Sequence, residues 1–448
     1  MKRVAFHTLG CKLNYAETAS IERQFADRGY RIVPFDEESD VCIVNTCSVT
    51  ERADRECRQL VRKALRRSPR SYVVVLGCYA QLQPEEIASI DGVDLVLGAK
   101  EKFRLFEHAG EFTKGDAPRI AVSPIEEATE FGPAGSGGSD RTRAFLKVQD
   151  GCDFNCSFCT IPLARGKSRS QAAAECVAQA EALVRQGYRE IVLTGVNVGD
   201  YGKKNGTSLL ALLQDLERVE GLDRIRISSI EPNLLTEELL GHWLSSEKIC
   251  NHFHIPLQSG DDEVLRMMRR RYTTAAYMRL IDKIRNNSPE AGIGVDVIVG
   301  FPGESEAHFA HTVDFLTELP VSYFHVFTYS ERPNTPSLDF GGRVEPRIRY
   351  RRSELLRTIG EQKRHAFHQS QLGTVRPALI EGSVENGQLS GYTDNYVRVF
   401  VPQSPSLINA LVKVRLQERV PDGCLGRVEE FEGQTMFTAP ATSEVAAA

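Results

Sequence analysis

A chain of 448 residues, 41 % of them apolar, is long enough to hold two or three packed domains. Its formal net charge of −5 argues against general adhesion to nucleic acid, and no run of eighteen apolar residues offers a membrane span. Met1-Lys2-Arg3 passes directly into patterned sequence without the apolar stretch of a signal peptide, so a cytoplasmic location with no membrane partner is expected. Eleven cysteines in a reducing compartment then point to metal binding rather than disulfides.

Taken in chain order, residues 1–120 read as a small α/β domain. The apolar runs Val4–Leu9, Val41–Val44 and Val73–Leu76 alternate with helical stretches at Glu17–Arg28 and Arg52–Arg67, which implies a parallel sheet. Phe131-Gly132-Pro133-Ala134-Gly135-Ser136-Gly137-Gly138-Ser139 has linker composition. Over 140–372 six βα-like units follow, with strands at Ala144–Val148, Glu190–Leu193, Arg224–Ser228, His252–Leu257, Gly294–Val299 and Tyr323–Thr328. Spacings near thirty residues suit a partial (β/α)6 barrel rather than a closed eight-stranded one. Residues 373–433 carry short β-like runs at Val375–Ile380, Leu389–Thr393, Tyr396–Val401 and Ala410–Arg415, the texture of a small β-barrel. The tail 434–448 has little to pack and is expected to be disordered. The fold class is thus α/β with a small C-terminal β-barrel.

Cys152, Cys156 and Cys159 follow the first barrel strand, at the strand end where barrels place their chemistry. CxxxCxxC spacing can bring three thiolates to one 4Fe–4S cube, and the missing fourth ligand would leave one iron open. A zinc site is the rival reading, although structural zinc normally closes its tetrahedron. Cys11, Cys47 and Cys78 each stand just past an N-terminal strand, with a helix beginning soon after. If those strands are neighbours, a second set of three thiols converges at the carboxyl edge of the sheet. Cys42, Cys57, Cys176, Cys250 and Cys424 read as ordinary buried cysteines.

The cysteine loop, with Phe158 before its last cysteine and a partial barrel around it, resembles the radical S-adenosylmethionine superfamily. With Thr8-Leu9-Gly10-Cys11-Lys12-Leu13-Asn14, Asn45-Thr46-Cys47-Ser48-Val49-Thr50, Gly77-Cys78-Tyr79-Ala80-Gln81, Ile161-Pro162-Leu163-Ala164-Arg165-Gly166, His254-Ile255-Pro256-Leu257-Gln258-Ser259-Gly260 and Asp296-Val297-Ile298-Val299-Gly300-Phe301-Pro302-Gly303-Glu304, the chain resembles the methylthiotransferases from residue 1 to about 433. The resemblance implies an auxiliary 4Fe–4S cluster on Cys11, Cys47 and Cys78, a catalytic one on Cys152, Cys156 and Cys159, and a C-terminal TRAM module that binds RNA. It implies S-adenosylmethionine contacts at the strand ends carrying Gly195, Asn197, Ser229, Glu231, Gln258 and Ser259, with Arg165 available to a carboxylate. Arg270 matches a family arginine. Arg169-Ser170-Gln171 departs from the Arg-Ser-Arg usual in the family.

Leu9-Gly10-Cys11-Lys12-Leu13-Asn14, Arg226-Ile227-Ser228-Ser229-Ile230-Glu231 and Met268-Arg269-Arg270-Arg271-Tyr272 are similar to the branch acting on N6-threonylcarbamoyladenosine beside the tRNA anticodon. One S-adenosylmethionine would methylate a cluster-bound sulfur, and a second would yield the radical that takes hydrogen from carbon 2 of adenine. A low-potential electron donor such as flavodoxin or ferredoxin is implied. Other acceptors, isopentenyladenosine in tRNA or a ribosomal protein, remain alternatives, as does a non-catalytic iron–sulfur RNA-binding protein. Residues 373–433 hold six Lys/Arg against eight Asp/Glu, so RNA attraction is expected elsewhere. The basic stretches 52–70, with Arg62, Arg66 and Arg67, and 343–364 are the candidates.

Overall fold

Uninterrupted apolar runs form the middle of the N-terminal sheet, as burial on both faces of a parallel sheet demands. In the computed structural model, residues 1–48, 51–115, 117–129, 131–132 and 142–430 are described, with backbone alone at 51–53. Most of the expected linker and the 434–448 tail lie outside them. The sheet contains β1 (Arg3–Thr8), β2 (Arg31–Val33), β3 (Val41–Thr46), β4 (Tyr72–Gly77), β5 (Val93–Leu97) and β6 (Arg119–Ala121). Their order is β2-β1-β3-β4-β5-β6, all parallel. The three strands expected from sequence are therefore adjacent, in the order β1-β3-β4. Edge strands β2 and β6 have three residues each and are largely unburied, so an apolar-run search passes over them. The first helix begins at Lys12, five residues before the expected Glu17, because Cys11 occupies its N-cap.

The second domain opens with β7 (Arg143–Lys147), followed by a two-residue antiparallel pair, β8 (Gln149–Asp150) and β9 (Arg169–Ser170). Its parallel framework continues with β10 (Glu190–Thr194), β11 (Arg224–Ile227), β12 (His252–His254), β13 (Gly292–Val299) and β14 (Tyr323–Thr328). Strands β7, β10 and β11 form one three-stranded sheet and β12, β13 and β14 another, and a parallel Ile225–Ile249 bridge joins them. Six strands in sequential order thus make the expected open barrel. Alternation divides their side chains: Ala144, Leu146, Ile191, Leu193, Val295 and Val297 pack in the core that includes the helices. Phe145 and Val192 instead meet Tyr15 and Ala16 of the N-terminal domain, which covers the open side.

A 25-residue helix, Pro346–Ser370, leads to the C-terminal domain. There β15 (Val375–Glu385), β16 (Gln388–Thr393), β17 (Arg398–Pro402), β18 (Leu411–Val420) and β19 (Gly423–Glu430) close a barrel in the order β15-β16-β17-β19-β18. Strand β19 escapes sequence reading because its glycines weaken the β pattern. They are needed for closure: a Cβ on Gly423 would lie 2.3 Å from Arg398 O, and one on Gly426 2.2 Å from Val414 Cγ1.

This domain docks through backbone acceptors. Arg224 donates to Tyr392 O (3.2 Å) and Thr393 O (3.0 Å), and Arg226 to Thr393 O and Asp394 O (both 3.1 Å). Asn395 Nδ2 donates to Glu290 O at 2.8 Å. The approach at Gly292 is so close that a Cβ would sit 2.1 Å from Asn395 O. Gly292→Ala should therefore cost about 1–3 kcal/mol by overpacking. A lowered Tm and faster tryptic release of the C-terminal domain are expected; unchanged values for both would show that this contact yields without cost.

Candidate active site

Cys152, Cys156 and Cys159 are placed by what pins their loop at each end. After β8, Gly151 turns at φ +69, and a Cβ there would lie 2.1 Å from Lys167 O. Cys152 N–H donates to Gly166 O (3.0 Å), and Cys159 N–H to Cys156 O (3.2 Å). Ser157 ties the loop across the barrel, its N–H to Met268 O (3.2 Å) and its hydroxyl to Met267 O (2.8 Å). Arg270 donates to Cys156 Sγ at 3.2 Å and ion-pairs with Glu231. Burial pushes the Cys152 thiol up to about 11 and Cys159 up to about 12. As thiolates at neutral pH they need a cation beside them, which bound iron would provide.

At the N-terminal domain the register does the equivalent work. Pairing of Thr8 with Asn45 and of Thr46 with Gly77 brings three strand ends level, and each is followed by a cysteine within three residues. Cys11 caps the helix Lys12–Ala26, and Cys78 opens the short helix Cys78–Leu82. Gly10, at φ +96, lets the chain pass Cys47, whose Sγ would be 2.8 Å from a Cβ at that position. Asn14 Nδ2 donates to Leu9 O (2.8 Å) and Thr46 O (3.0 Å), clamping the first strand end to the second. Thr46 Oγ1 donates to Leu76 O at 2.7 Å and clamps the second to the third.

The two cysteine sets meet across one interface. Thr160, next to Cys159, donates its hydroxyl to Ser48 O beside Cys47 at 3.4 Å. Arg332 donates to Ser48 Oγ (2.6 Å) and pairs with Asp54 (2.7 Å). Behind this contact lies a charged network that no sequence pattern announces. Glu17 is fully buried and accepts Lys102 Nζ at 2.6 Å, Lys147 Nζ at 2.9 Å and Arg165 at 2.9 and 3.1 Å. Burial alone would raise Glu17, but Arg165, Lys102 and Lys147 outweigh it and hold the carboxyl well below its ordinary range. Arg165 also reaches Asn14 Oδ1 (2.6 Å), Asp150 Oδ1 (3.0 Å) and Cys78 Sγ (3.2 Å). Asp150 in turn accepts Gly151 N–H at 2.8 Å, one residue from Cys152. An unbroken hydrogen-bond path therefore runs from Cys78 through Arg165 and Asp150 to the loop carrying Cys152.

The donor sets fit iron–sulfur clusters, since cubane irons take cysteine thiolates and a set of three would leave one iron open. The charges agree: Lys102, Lys147, Arg165 and Arg169 face Glu17 and Asp150, four cations to two anions, leaving positive charge beside Cys78 for thiolates to satisfy.

The other expected site residues divide. Asn197 is buried with Oδ1 and Nδ2 both unpaired among the described residues, and its N–H takes Gln149 Oε1 at 2.7 Å. Gln149 also donates to Gly151 O at 2.7 Å, so this unpaired amide is tied to the cysteine loop and fits a polar cofactor. Gly195 makes room for Gln149, whose O and Oε1 would lie 2.9 Å from a Cβ. Ser229 is half-buried, and Glu231 is held by Arg270. Gln258 sits at φ +73 with its backbone bonded to Asp296 O and Ile298 N–H (2.8 and 2.9 Å), leaving a half-buried amide.

Three expected sites find partners within the fold. The carboxylates that Arg165 meets are Glu17 and Asp150, not a cofactor's, because the guanidinium is buried in the domain junction. Ser259 is buried, and its hydroxyl accepts Asp261 N–H (3.2 Å) at the start of the helix Asp262–Met267. In the 343–364 run, Arg349 and Arg352 are buried against Glu331 and Glu304, so much of its charge is already balanced. Gln171, at the departure from Arg-Ser-Arg, is also buried, with its N–H on Val148 O at 3.0 Å, so it faces the fold. By contrast Arg62, Arg66 and Arg67 are exposed on the helix Glu51–Arg67.

The network makes a direct expectation. Glu17→Gln strands buried cations and should destabilise the metal-free protein by about 3–5 kcal/mol. Denaturant unfolding measures it, and a loss under 1 kcal/mol would mean that water or the neighbouring Asp150 substitutes for Glu17.

Comparison with known proteins gives matches in all three domains. Residues 146–316 match the model of the radical SAM superfamily, 3–98 that of uncharacterized protein family UPF0004, and 369–420 that of the TRAM domain. Threonylcarbamoyladenosine tRNA methylthiotransferase MtaB of Bacillus subtilis is 40 % identical, covering 93 % of this chain and 94 % of its own length. The MtaB protein of Aquifex aeolicus is 39 % identical over 89 % and 96 %. A tRNA-2-methylthio-N(6)-dimethylallyladenosine synthase of Syntrophotalea carbinolica is 33 % identical over 95 % and 99 %. In fold, the chain is similar to the radical S-adenosylmethionine methyltransferase TsrM of Kitasatospora setae, at a TM-score of 0.56, 17 % identity and coverage of 75 % and 77 %. The chain belongs to the radical S-adenosylmethionine methylthiotransferase family.

Proposed function

We propose that this protein methylthiolates carbon 2 of N6-threonylcarbamoyladenosine beside the tRNA anticodon, using two 4Fe–4S clusters and two molecules of S-adenosylmethionine. The observation that carries the reading is the direct contact between the Cys47 and Cys159 loops, which sets two three-cysteine sites on either side of one junction. Family membership supports a methylthio transfer, and the MtaB relatives support the threonylcarbamoyladenosine acceptor. A cytoplasmic setting follows from a tRNA acceptor. When bound, the cofactors supply the electron, the sulfur and the carbon radical. The chain's own residues do the positioning. Cys152, Cys156 and Cys159 would hold the catalytic cluster, Asn197, Gly195, Ser229, Glu231 and Gln258 would line the S-adenosylmethionine site, and Cys11, Cys47 and Cys78 would hold the auxiliary cluster. A low-potential protein donor of the flavodoxin or ferredoxin kind would deliver electrons.

Two triple substitutions test the division of labour. Replacing Cys152, Cys156 and Cys159 by Ala should remove about half the iron and all S-adenosylmethionine cleavage. Replacing Cys11, Cys47 and Cys78 should leave 5′-deoxyadenosine formation but no methylthio product in tRNA, read by nucleoside mass spectrometry. Full cleavage in the first variant, or near-zero iron in the second, contradicts the assignment. A threonylcarbamoyladenosine acceptor is checked with the same spectrometry on tRNA from a deletion strain.

For tRNA binding, the exposed Arg62, Arg66 and Arg67 offer the better phosphate contacts, since the basic run on the helix Pro346–Ser370 is partly neutralised. Changing all three to Glu should weaken tRNA binding and lower its salt slope by about one per lost contact. A wild-type affinity with an unaltered slope would mean that this face contacts only solvent.

A further inference from the structure

We infer that the cavity where the three domains meet receives the carboxylate-bearing N6 substituent of the acceptor nucleoside, with Lys12 as its counter-charge. The inference rests on the threonylcarbamoyladenosine acceptor proposed above and names the residue that would select it.

The cavity has a volume of about 420 Å³ and is walled by Lys12 and Tyr15 from the N-terminal domain, Phe145 and Arg226 from the barrel, and Glu381 and Tyr396 from the C-terminal domain. That volume lies within the usual range for a small-molecule site, about 300–1,000 Å³. Gly10 and Lys12, which flank Cys11 in sequence, both line the cavity, so its wall runs beside a proposed ligand of the auxiliary cluster. A group bound there would lie next to the proposed source of sulfur.

The walls' charges have unequal standing. Arg226 is spent on Glu190 (2.8 Å) and on the carbonyls of Thr393 and Asp394. Arg143 is spent on Glu381 at 3.0 Å and lies over the Tyr392 ring. Asp296, the nearby lumen acid, pairs with His254 at 3.2 Å. Lys12 alone of these groups has no hydrogen-bond or ion-pair partner among the described residues, although it is only partly exposed. The cavity lining sets Lys12, Arg143 and Arg226 against Glu381, three cations to one anion.

An ammonium facing a cavity lined by Tyr15, Phe145 and Tyr396 suits a ligand with a planar ring and a carboxylate. Tyr396 is fixed for this, at φ +71 and stacked on His252 (4.4 Å) and Tyr392 (4.9 Å). A dimethylallyl substituent, neutral and apolar, would leave the ammonium desolvated and unpaired, so the same residue would reject it.

The test measures binding of three anticodon stem-loops to the full protein. One carries N6-threonylcarbamoyladenosine, one its carboxyl methyl ester and one dimethylallyladenosine. The wild type should bind the free carboxylate roughly tenfold to hundredfold more tightly than the ester. Lys12→Met should erase that ratio, and Lys12→Arg should restore part of it. Equal wild-type affinity for acid and ester, a comparison that needs no variant, overturns the inference, as does a ratio that survives in Lys12→Met. The acceptor reading fails separately if the wild type methylthiolates only the dimethylallyl loop. If it methylthiolates the threonylcarbamoyl loop while binding acid and ester alike, only the Lys12 assignment falls.

Discussion

One buried carboxylate holds the two cysteine-bearing domains together. Glu17 receives Lys102 from its own domain, and Lys147 and Arg165 from the barrel, all within 3.1 Å and away from water. Taking this many charges out of solvent is costly, and their attraction offsets the cost only when every partner is in place. The junction therefore tolerates one relative placement of the two domains; sliding either by a helical turn would strand several ions. For the proposed chemistry, which would join a sulfur held at one cysteine set to a carbon radical generated at the other, this restriction is useful. Arg165 carries it furthest, because the same guanidinium touches Cys78 and, through Asp150, the turn at Gly151.

These facts differ in how far they could be read from the chain. The cysteines were legible because position and spacing are local: each N-terminal one stands within three residues of a strand, and the barrel loop spans eight residues. The order β1-β3-β4 follows from parallel crossovers between neighbours, so adjacency of the three strand ends was also within reach. Glu17 was not legible, since its partners lie 85, 130 and 148 residues away and each looks like an ordinary surface charge. The only available signal was weak: Glu17 is on the helix face that also buries Leu13, Asn14 and Ile21. The partners of Arg165 and Ser259 were hidden for a different reason. Strand and helix ends near a cofactor also hold the residues that build the site, and sequence does not separate the two kinds. Asn197 differs from Ser259 only in what the folded chain leaves unpaired.

Six strands do not close a barrel around a fully packed interior, and the lumen residues show how this chain manages the gap. Outward positions are aliphatic and join the core, whereas inward positions on the same strands include Glu190, Arg226, His252, His254 and Asp296. Polar groups this buried need partners. Arg226 finds them on the carbonyls of Thr393 and Asp394, and His252 on the Tyr323 hydroxyl at 2.8 Å and the face of Tyr396. The C-terminal barrel is thereby part of the lumen wall, not an appendage on a tether. Its own net negative composition is consistent with that role, because a domain whose loop supplies acceptors to buried arginines need not grip phosphate strongly. The same reasoning explains a tyrosine at φ +71 in position 396. A left-handed backbone costs a non-glycine residue of order 1 kcal/mol, and such strain persists where the surroundings fix it. Here they are the stacked rings of His252 and Tyr392 and the guanidinium of Arg226, 5.1 Å from the Tyr396 ring centroid, so one strained residue joins the C-terminal domain to the wall of the cavity.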